Sequence, residues 1–149
     1  MRLVTTVEGT PEEVAAQLGY YLNGLAQANR LLMRRDRIPP IYRAGIPYKI
    51  EPWASEFQSL STCREAIDRG WMECKAASAW LCAEYRERQP NEELARRYEI
   101  FVDCTERRTD PVNRGLVPRD GVVRVYHARV LHPDGRLEDP TRRLRRKKD

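Results

Sequence analysis

The chain has 149 residues, of which 41% are apolar, 27 are Lys or Arg and 22 are Asp or Glu, so that its formal net charge is +5. This length is typical of one domain of ~100–200 residues, and no stretch approaches the ~18 uncharged apolar residues of a membrane span. The N-terminus lacks the apolar segment of a secretory signal. The sequence therefore predicts one domain that stays in the cytoplasm of the cell that makes it and does not enter a membrane.

The net charge is concentrated at the C-terminus. Six of the 27 basic residues and one of the 22 acidic residues lie in 142–149, which leaves 21 of each sign in the rest of the chain. Because so dense a run of like charge cannot build a core, residues 142–149 are predicted to form a flexible basic tail, and residues 1–141 the folded domain. The tail is expected either to act as a solubilising terminus or to contact an acidic protein surface or nucleic acid. No RRM, OB-fold or helix-turn-helix signature supports a nucleic-acid-binding module, which is kept as a third alternative.

The cysteines do not predict a metal site. The four cysteines show no C-x-x-C pair of the kind found in zinc ribbons, and they are too few for a disulfide scaffold of this length. We expect free thiols, no structural metal and no cofactor. The residues are Cys63, Cys74, Cys82 and Cys104.

Helix start and stop signals predict a long first helix and an extended segment after it. Thr10 is a suitable N-cap, Pro11 suits the first helical position and Glu13 has capping-box spacing, and an apolar stripe continues to about Arg34. Residues 38–48 include three prolines and one glycine, so this segment is predicted to be extended.

Two shorter helices are predicted in the middle of the chain. Thr62 and Glu65 have capping-box spacing, and Gly70 is a typical residue for ending a helix that runs to Arg69. A third helix is predicted from about Cys74 to residue 88, where a proline at position 90 prevents its continuation.

The pattern then changes to that of strands. Residues 98–102 alternate in polarity, and residues 122–131 form a run rich in β-branched side chains. Residues 132–135 mark a tight turn into a last strand, and His132 in that turn is expected to be solvated. A further short strand is predicted over residues 2–7. Helices followed by strands indicate an α+β fold with an antiparallel sheet.

The turn residues also predict the register of the last hairpin. Pro133 cannot adopt a positive φ, which excludes a two-residue loop and favours a type I turn with Gly135 left-handed in a bulge. That geometry pairs His132 with Arg136. His127 and Asp139 then become diagonal neighbours on one face, with Cα atoms about 7–8 Å apart.

One set of residues has the order of a nucleophile, a base and an orienting carboxylate. Cys74 lies at the start of a predicted helix, where the helix dipole favours thiolate. His127 follows on a strand and Asp139 on the paired strand, so that His127 would accept the thiol proton and Asp139 would orient the imidazole. The structural alternative makes Cys74 a small buried apolar residue, His127 a half-buried strand residue and Asp139 a turn former.

These residues, with the motifs around them, resemble a known family. A Cys at a helix N-terminus followed by His and Asp on adjacent antiparallel strands is similar to the transglutaminase-like members of the papain-like cysteine peptidase superfamily. The chain resembles in particular the small transglutaminase-like proteins of tailed phages and prophages, over roughly residues 20–145. The segments that carry the resemblance are PPIYRAGIPY at 39–48, RGWMEC at 69–74, YH at 126–127 and DGRLEDPT at 134–141.

The resemblance implies a fold and two functions. It implies a Cys-bearing helix packed on a C-terminal antiparallel sheet, and a thiol-dependent acyl-transfer enzyme (peptidase, amidase or transglutaminase-like) that acts on a protein or peptide through Cys74, His127 and Asp139. The alternative is an inactive fold that serves as a phage virion or assembly protein and binds phage structural proteins. The chain departs from the family pattern at Lys75, where relatives carry an acidic residue. The backbone N–H of Cys74 is available as an oxyanion donor, and Trp53, Gln58 and Trp71 are candidates for a second donor.

Overall fold

The computed structural model describes residues 7–49, 60–107 and 123–146. Its architecture is α+β, as predicted, and its three described strands form one antiparallel sheet in chain order. The strand predicted over residues 2–7 lies outside the described residues except for Val7. In chain order the elements are α1 (Pro11–Arg35), a 3-10 turn (Ile41–Arg43), α2 (Cys63–Arg69), α3 (Cys74–Glu87), α4 (Glu92–Ala95), β1 (Glu99–Arg107), β2 (Val123–Leu131), β3 (Leu137–Glu138) and α5 (Pro140–Arg146).

The capping residues define the ends of α1 and α2 as predicted. Thr10 accepts a hydrogen bond from the backbone of Glu13 at 3.2 Å. At α2 the Thr62 hydroxyl accepts from the Glu65 backbone at 3.2 Å, and the Glu65 carboxylate accepts from the Thr62 backbone at 3.1 Å. Gly70 ends α2 with a φ of 84°. The chain therefore leaves α2 in a left-handed turn that leads directly to α3.

Replacing Gly70 by Ala is expected to lower the free energy of unfolding by about 1–2 kcal/mol, because an L-residue is strained at this positive φ. Open space surrounds the position, so steric clash does not contribute. The same replacement at Gly24, inside α1 and also in open space, serves as the control and is expected to stabilise by about 0.5–1 kcal/mol. Urea denaturation of both variants measures the difference, and equal effects of the two substitutions would contradict the prediction.

The register of the last hairpin is the predicted one. Val130 pairs with Glu138 and Leu131 with Leu137. The loop is closed by a hydrogen bond from the His132 backbone N–H to the Arg136 carbonyl at 2.9 Å, and residue 135 has a φ of 89°. Side chains of equal parity on β2 and after β3 therefore share one face of the sheet.

Helix α3 forms the centre of the core. Every residue of this helix from 75 to 84 is buried. The reason is that α1 packs on one side of α3, the sheet on another and α5 on a third. Trp80 is fully buried. None of the described helices combines the length and apolarity that crossing a bilayer requires.

The C-terminal segment differs from its prediction. Residues 140–146 form α5, although residues 142–149 were expected to be a flexible tail. Leu144 supplies the physical reason, because it is the apolar residue within the basic run and is only 6% exposed, in contact with the core cluster. Arg143 lies over the ring of Tyr42 at 4.1 Å and Arg145 over that of Tyr48 at 4.8 Å. Residues 147–149 lie outside the described residues.

Candidate active site

The start of α3 is capped by a buried carboxylate. Glu73 is the N-cap residue, and its side chain accepts hydrogen bonds from the backbones of Lys75 and Ala76, both at 2.7 Å. The ammonium of Lys75 lies 3.3 Å from the same carboxylate, and both side chains are less than one-tenth exposed. Cys74 is the first residue of the helix and is half-buried. The Lys75 side chain, where the family pattern has an acid, is thus directed to Glu73.

The structure joins His127 to Asp139. His127 Nε2 lies 2.8 Å from Asp139 Oδ2, which confirms the contact that the hairpin register predicted. The other oxygen, Oδ1, accepts from the Thr141 backbone at 3.0 Å and from its hydroxyl at 2.6 Å. Burial acts to raise the pKa of Asp139, but the hydrogen bonds from Thr141 and His127 lower it below its ordinary value. The carboxylate is therefore held ionised and fixed in orientation.

His127 is also linked to Cys74 through its ionisation. Its pKa is raised to about 9, firstly by a hydrogen bond with the Cys74 side chain, against the opposing effect of burial, and then by the hydrogen bond with Asp139. The imidazole is therefore protonated at neutral pH. A protonated imidazole that donates to a sulfur atom is the arrangement that activates cysteine nucleophiles.

The other cysteines lie in different environments. Cys63 at the start of α2 and Cys82 within α3 are buried, and burial raises the pKa of each thiol to about 11. Cys104 is half-buried on β1, opposite Tyr126. Of the four thiols, Cys74 is the one whose side chain raises the pKa of His127.

Sequence reasoning missed three residues beside this group. Tyr48 lies next to Met72 in an isolated bridge, with the Lys49 N–H donating to the Met72 carbonyl at 2.9 Å. Arg145 donates to the Tyr48 hydroxyl at 3.2 Å, and the Arg142 guanidinium lies 3.9 Å from Asp139 Oδ2. Both arginines belong to the segment that was interpreted as a tail. The sequence feature that could have indicated an ordered segment there was Leu144, the single apolar residue in the basic run.

A second carboxylate fixes β3 just before Asp139. Glu138 accepts hydrogen bonds from the hydroxyls of Tyr42 at 2.6 Å and Tyr85 at 2.7 Å, and lies 2.9 Å from His132 Nε2. His132 was expected to be solvated but is 6% exposed, because its ring packs edge-on against the rings of Tyr85 and Tyr98 at 4.8 and 5.4 Å. This cluster attaches β3 to α3 and to the segment before Tyr48.

Of the three side chains proposed as oxyanion donors, the structure describes Trp71. Trp53 and Gln58, two of the proposed oxyanion donors, lie outside the described residues. Trp71 lies beneath the Arg69 guanidinium at 3.7 Å, and its carbonyl accepts from Arg69. Within the described ranges, no group of three or more His, Cys, Asp or Glu side chains is arranged to hold a metal ion.

Comparisons of the chain with protein-family models, with curated proteins and with solved structures find no significant match.

Proposed function

We propose that the protein is a thiol-dependent acyl-transfer enzyme that acts on an amide of a protein or peptide, as a peptidase, an amidase or a transglutaminase-like acyltransferase. The observation that supports this proposal is His127, which lies 2.8 Å from Asp139 and whose pKa is raised by the side chain of Cys74. Nucleophile, base and orienting group are thus supplied by three different elements, α3, β2 and the residue after β3. The motif resemblance adds a phage or prophage origin to the proposal.

The reaction follows from the protons these groups hold. Asp139 occupies Nε2 of His127, so Nδ1 is the nitrogen that exchanges a proton with the sulfur. The thiolate of Cys74 attacks the amide carbonyl, a carbon–sulfur bond forms, the carbon–nitrogen bond breaks, and the departing amine takes the proton from the imidazolium. Water or a second amine then attacks the thioester, gives its proton to His127 and releases the Cys74 thiolate. Hydrolysis and transfer differ only in this last nucleophile.

Alkylation by iodoacetamide tests the proposal without a known substrate. At pH 6.5 Cys74 is expected to react at least about tenfold faster than Cys63, Cys82 and Cys104, because an imidazolium neighbour activates the thiol. The rate at each cysteine is measured by mass spectrometry of the peptides after timed quenching. Equal labelling of all four cysteines would contradict an enzymatic role and leave the virion or assembly role as the better account.

A His127→Gln variant supplies the control, since glutamine keeps a polar side chain but cannot be an imidazolium. The pKa of His127 is raised to about 9, so its proton is present at neutral pH and is lost as the pH rises through 9. The wild type is therefore expected to exceed the variant in Cys74 labelling at pH 6.5, and the two rates are expected to converge above pH 9. A rate unaffected by the substitution at pH 6.5 would show that His127 does not activate the thiol.

A further inference from the structure

Helix α5 places exposed arginines beside the thiol. The helix begins one residue after Asp139 and buries Pro140, Thr141 and Leu144 against the core. The positions beside these buried residues carry Arg142, Arg143 and Arg145, and all three are exposed. The alternation of buried and basic residues gives α5 one core face and one cationic face.

Two contacts connect this cationic face to the thiol site. The Arg142 side chain is 82% exposed, and its Nε lies 3.9 Å from the same Asp139 oxygen that contacts His127. Arg145 donates to the Tyr48 hydroxyl at 3.2 Å, and Tyr48 is bridged to Met72, two residues before Cys74. The Arg142 guanidinium therefore lies beside the orienting carboxylate, and the Arg145 guanidinium lies beside the segment at 48–49 that is bridged to Met72.

Nearby carboxylates leave this positive charge largely uncompensated. Glu73 is 2% exposed and holds two backbone amides and the Lys75 ammonium. Asp139 is held by His127 and Thr141, and its ion pair with Arg142 is long, at 3.9 Å. Among the described residues, no carboxylate lies within ion-pair distance of Arg145. The exposed charge at the site is thus positive, and the planar guanidinium is the side chain best suited to hold a carboxylate through paired hydrogen bonds.

We infer that the site selects an acidic peptide, in which the amide attacked by Cys74 is flanked by carboxylate groups that Arg142 and Arg145 bind. The inference rests on the proposed function and extends it to the substrate class. An acidic peptide is favoured over a nucleic acid because the group beside the arginines is a thiol whose proposed chemistry requires an acyl group. The arginines are specificity determinants and take no part in the bond-breaking step.

Two alkylating reagents of similar size test the inference. Iodoacetate is anionic and iodoacetamide is neutral. The rate at Cys74 with iodoacetate is divided by the rate with iodoacetamide, and the result is normalised by the same ratio for N-acetylcysteine. This normalised ratio measures how strongly the site attracts a carboxylate. We expect a normalised ratio of about 3–10 in the wild type at low salt and a fall toward 1 in the Arg142→Gln/Arg145→Gln variant. Added salt should reduce the wild-type ratio, since exposed charges are screened.

Matched variants separate local from general charge effects. Arg96→Gln/Arg97→Gln removes two exposed arginines next to α4. Helix α4 follows the C-terminal end of the 14-residue α3, and that end lies about 20 Å along α3 from Cys74. The Arg96→Gln/Arg97→Gln variant is expected to retain the wild-type ratio. Arg142→Lys/Arg145→Lys keeps the charge and should retain most of the normalised ratio. This variant keeps the inference testable if the glutamine variant fails to fold.

Protection by peptides gives a second measurement on the wild type. Hexaglutamate is expected to slow iodoacetamide labelling of Cys74, and hexalysine is not. An unchanged normalised ratio in the glutamine variant, or protection by a single-stranded oligonucleotide but not by hexaglutamate, would overturn the inference while Cys74 still reacts fast. Slow labelling of Cys74 by both reagents would instead contradict the proposed function, so the two failures are distinguishable.

Discussion

Replacing Glu138 by Ala is expected to lower the free energy of unfolding by about 3–5 kcal/mol, because it removes the shared acceptor of three part-buried hydrogen bonds. The hydroxyls of Tyr42 and Tyr85 and the imidazole of His132 all contact this carboxylate, which is 18% exposed. Urea or guanidinium denaturation measures the change. Because β3 is only two residues long, we also expect loss of the carboxylate to displace Asp139 and slow the labelling of Cys74.

Single-donor variants show whether the cluster acts collectively. Tyr42→Phe and Tyr85→Phe each remove one hydrogen bond to the carboxylate and are expected to cost about 1.5 kcal/mol. Glu93→Ala, at a side chain that is 85% exposed, should change the stability by less than about 0.5 kcal/mol. A Glu138→Ala variant no less stable than Tyr42→Phe would show that the other two contacts contribute nothing.

The acid dependence of stability provides a second readout of the same cluster. Burial acts to raise the pKa of Glu138, but the hydrogen bonds from Tyr42, Tyr85 and His132 lower it below its ordinary value. A lowered pKa gives stability that is present above the unfolded value of about 4.3 and is lost as the pH falls through the folded value. Glu138→Gln is therefore expected to flatten the decline in stability below about pH 4.3.

Replacing Asp139 by Asn is expected to reduce acyl-transfer turnover by roughly 10²–10⁴, because an amide can donate to the imidazole and favour the wrong tautomer. The hydrogen bonds from Thr141 to the other carboxylate oxygen fix the group that His127 depends on. Steady-state hydrolysis of p-nitrophenyl acetate reports turnover, since deacylation of Cys74 requires His127 to accept a proton from water. Near-ultraviolet circular dichroism checks that the variant keeps its fold.

Asp134→Asn is the matched control for this substitution. Asp134 is an exposed residue of the same hairpin and accepts a hydrogen bond from the Arg136 backbone at 3.0 Å. Asp134 has no contact with His127 among the described residues. The turnover of the Asp134→Asn variant is therefore expected to equal that of the wild type. If the Asp139→Asn variant turned over substrate as fast as the wild type, the Asp139 carboxylate would have a structural role only.

The features that the sequence predicted correctly are those with local causes. A cap needs only residues within one helical turn, so the ends of α1 and α2 could be predicted from Thr10 and from Thr62 with Gly70. The hairpin register depends on the stereochemistry of Pro133 and Gly135, and it was sufficient to place His127 beside Asp139. The pairing of His127 with Cys74 rests instead on chain order and resemblance and stays a prediction, because no local rule relates α3 to β2.

The features that the sequence did not predict depend on distant partners. Glu138 binds Tyr42, 96 positions earlier, and Tyr85, 53 positions earlier. No periodic pattern marks such a pairing, and His132 was therefore expected to be solvated. Helix α5 was missed because one apolar residue, Leu144, gives no periodicity by itself. It becomes a core residue only after the sheet and α3 have formed the surface it covers.

The carboxylate cap on α3 determines where the reactivity of the thiol originates. Glu73 places a negative charge at the helix start and takes up the amides of Lys75 and Ala76, so it offsets the positive end of the helix dipole that would otherwise favour thiolate. In the proposed enzyme, activation of Cys74 would then depend on the imidazolium of His127. A molecule whose hairpin opens would carry an ordinary thiol. The reactivity of Cys74 would thus require native tertiary structure. An unfinished chain would then be protected from modification during synthesis, and labelling of this cysteine would be a probe of the completed fold.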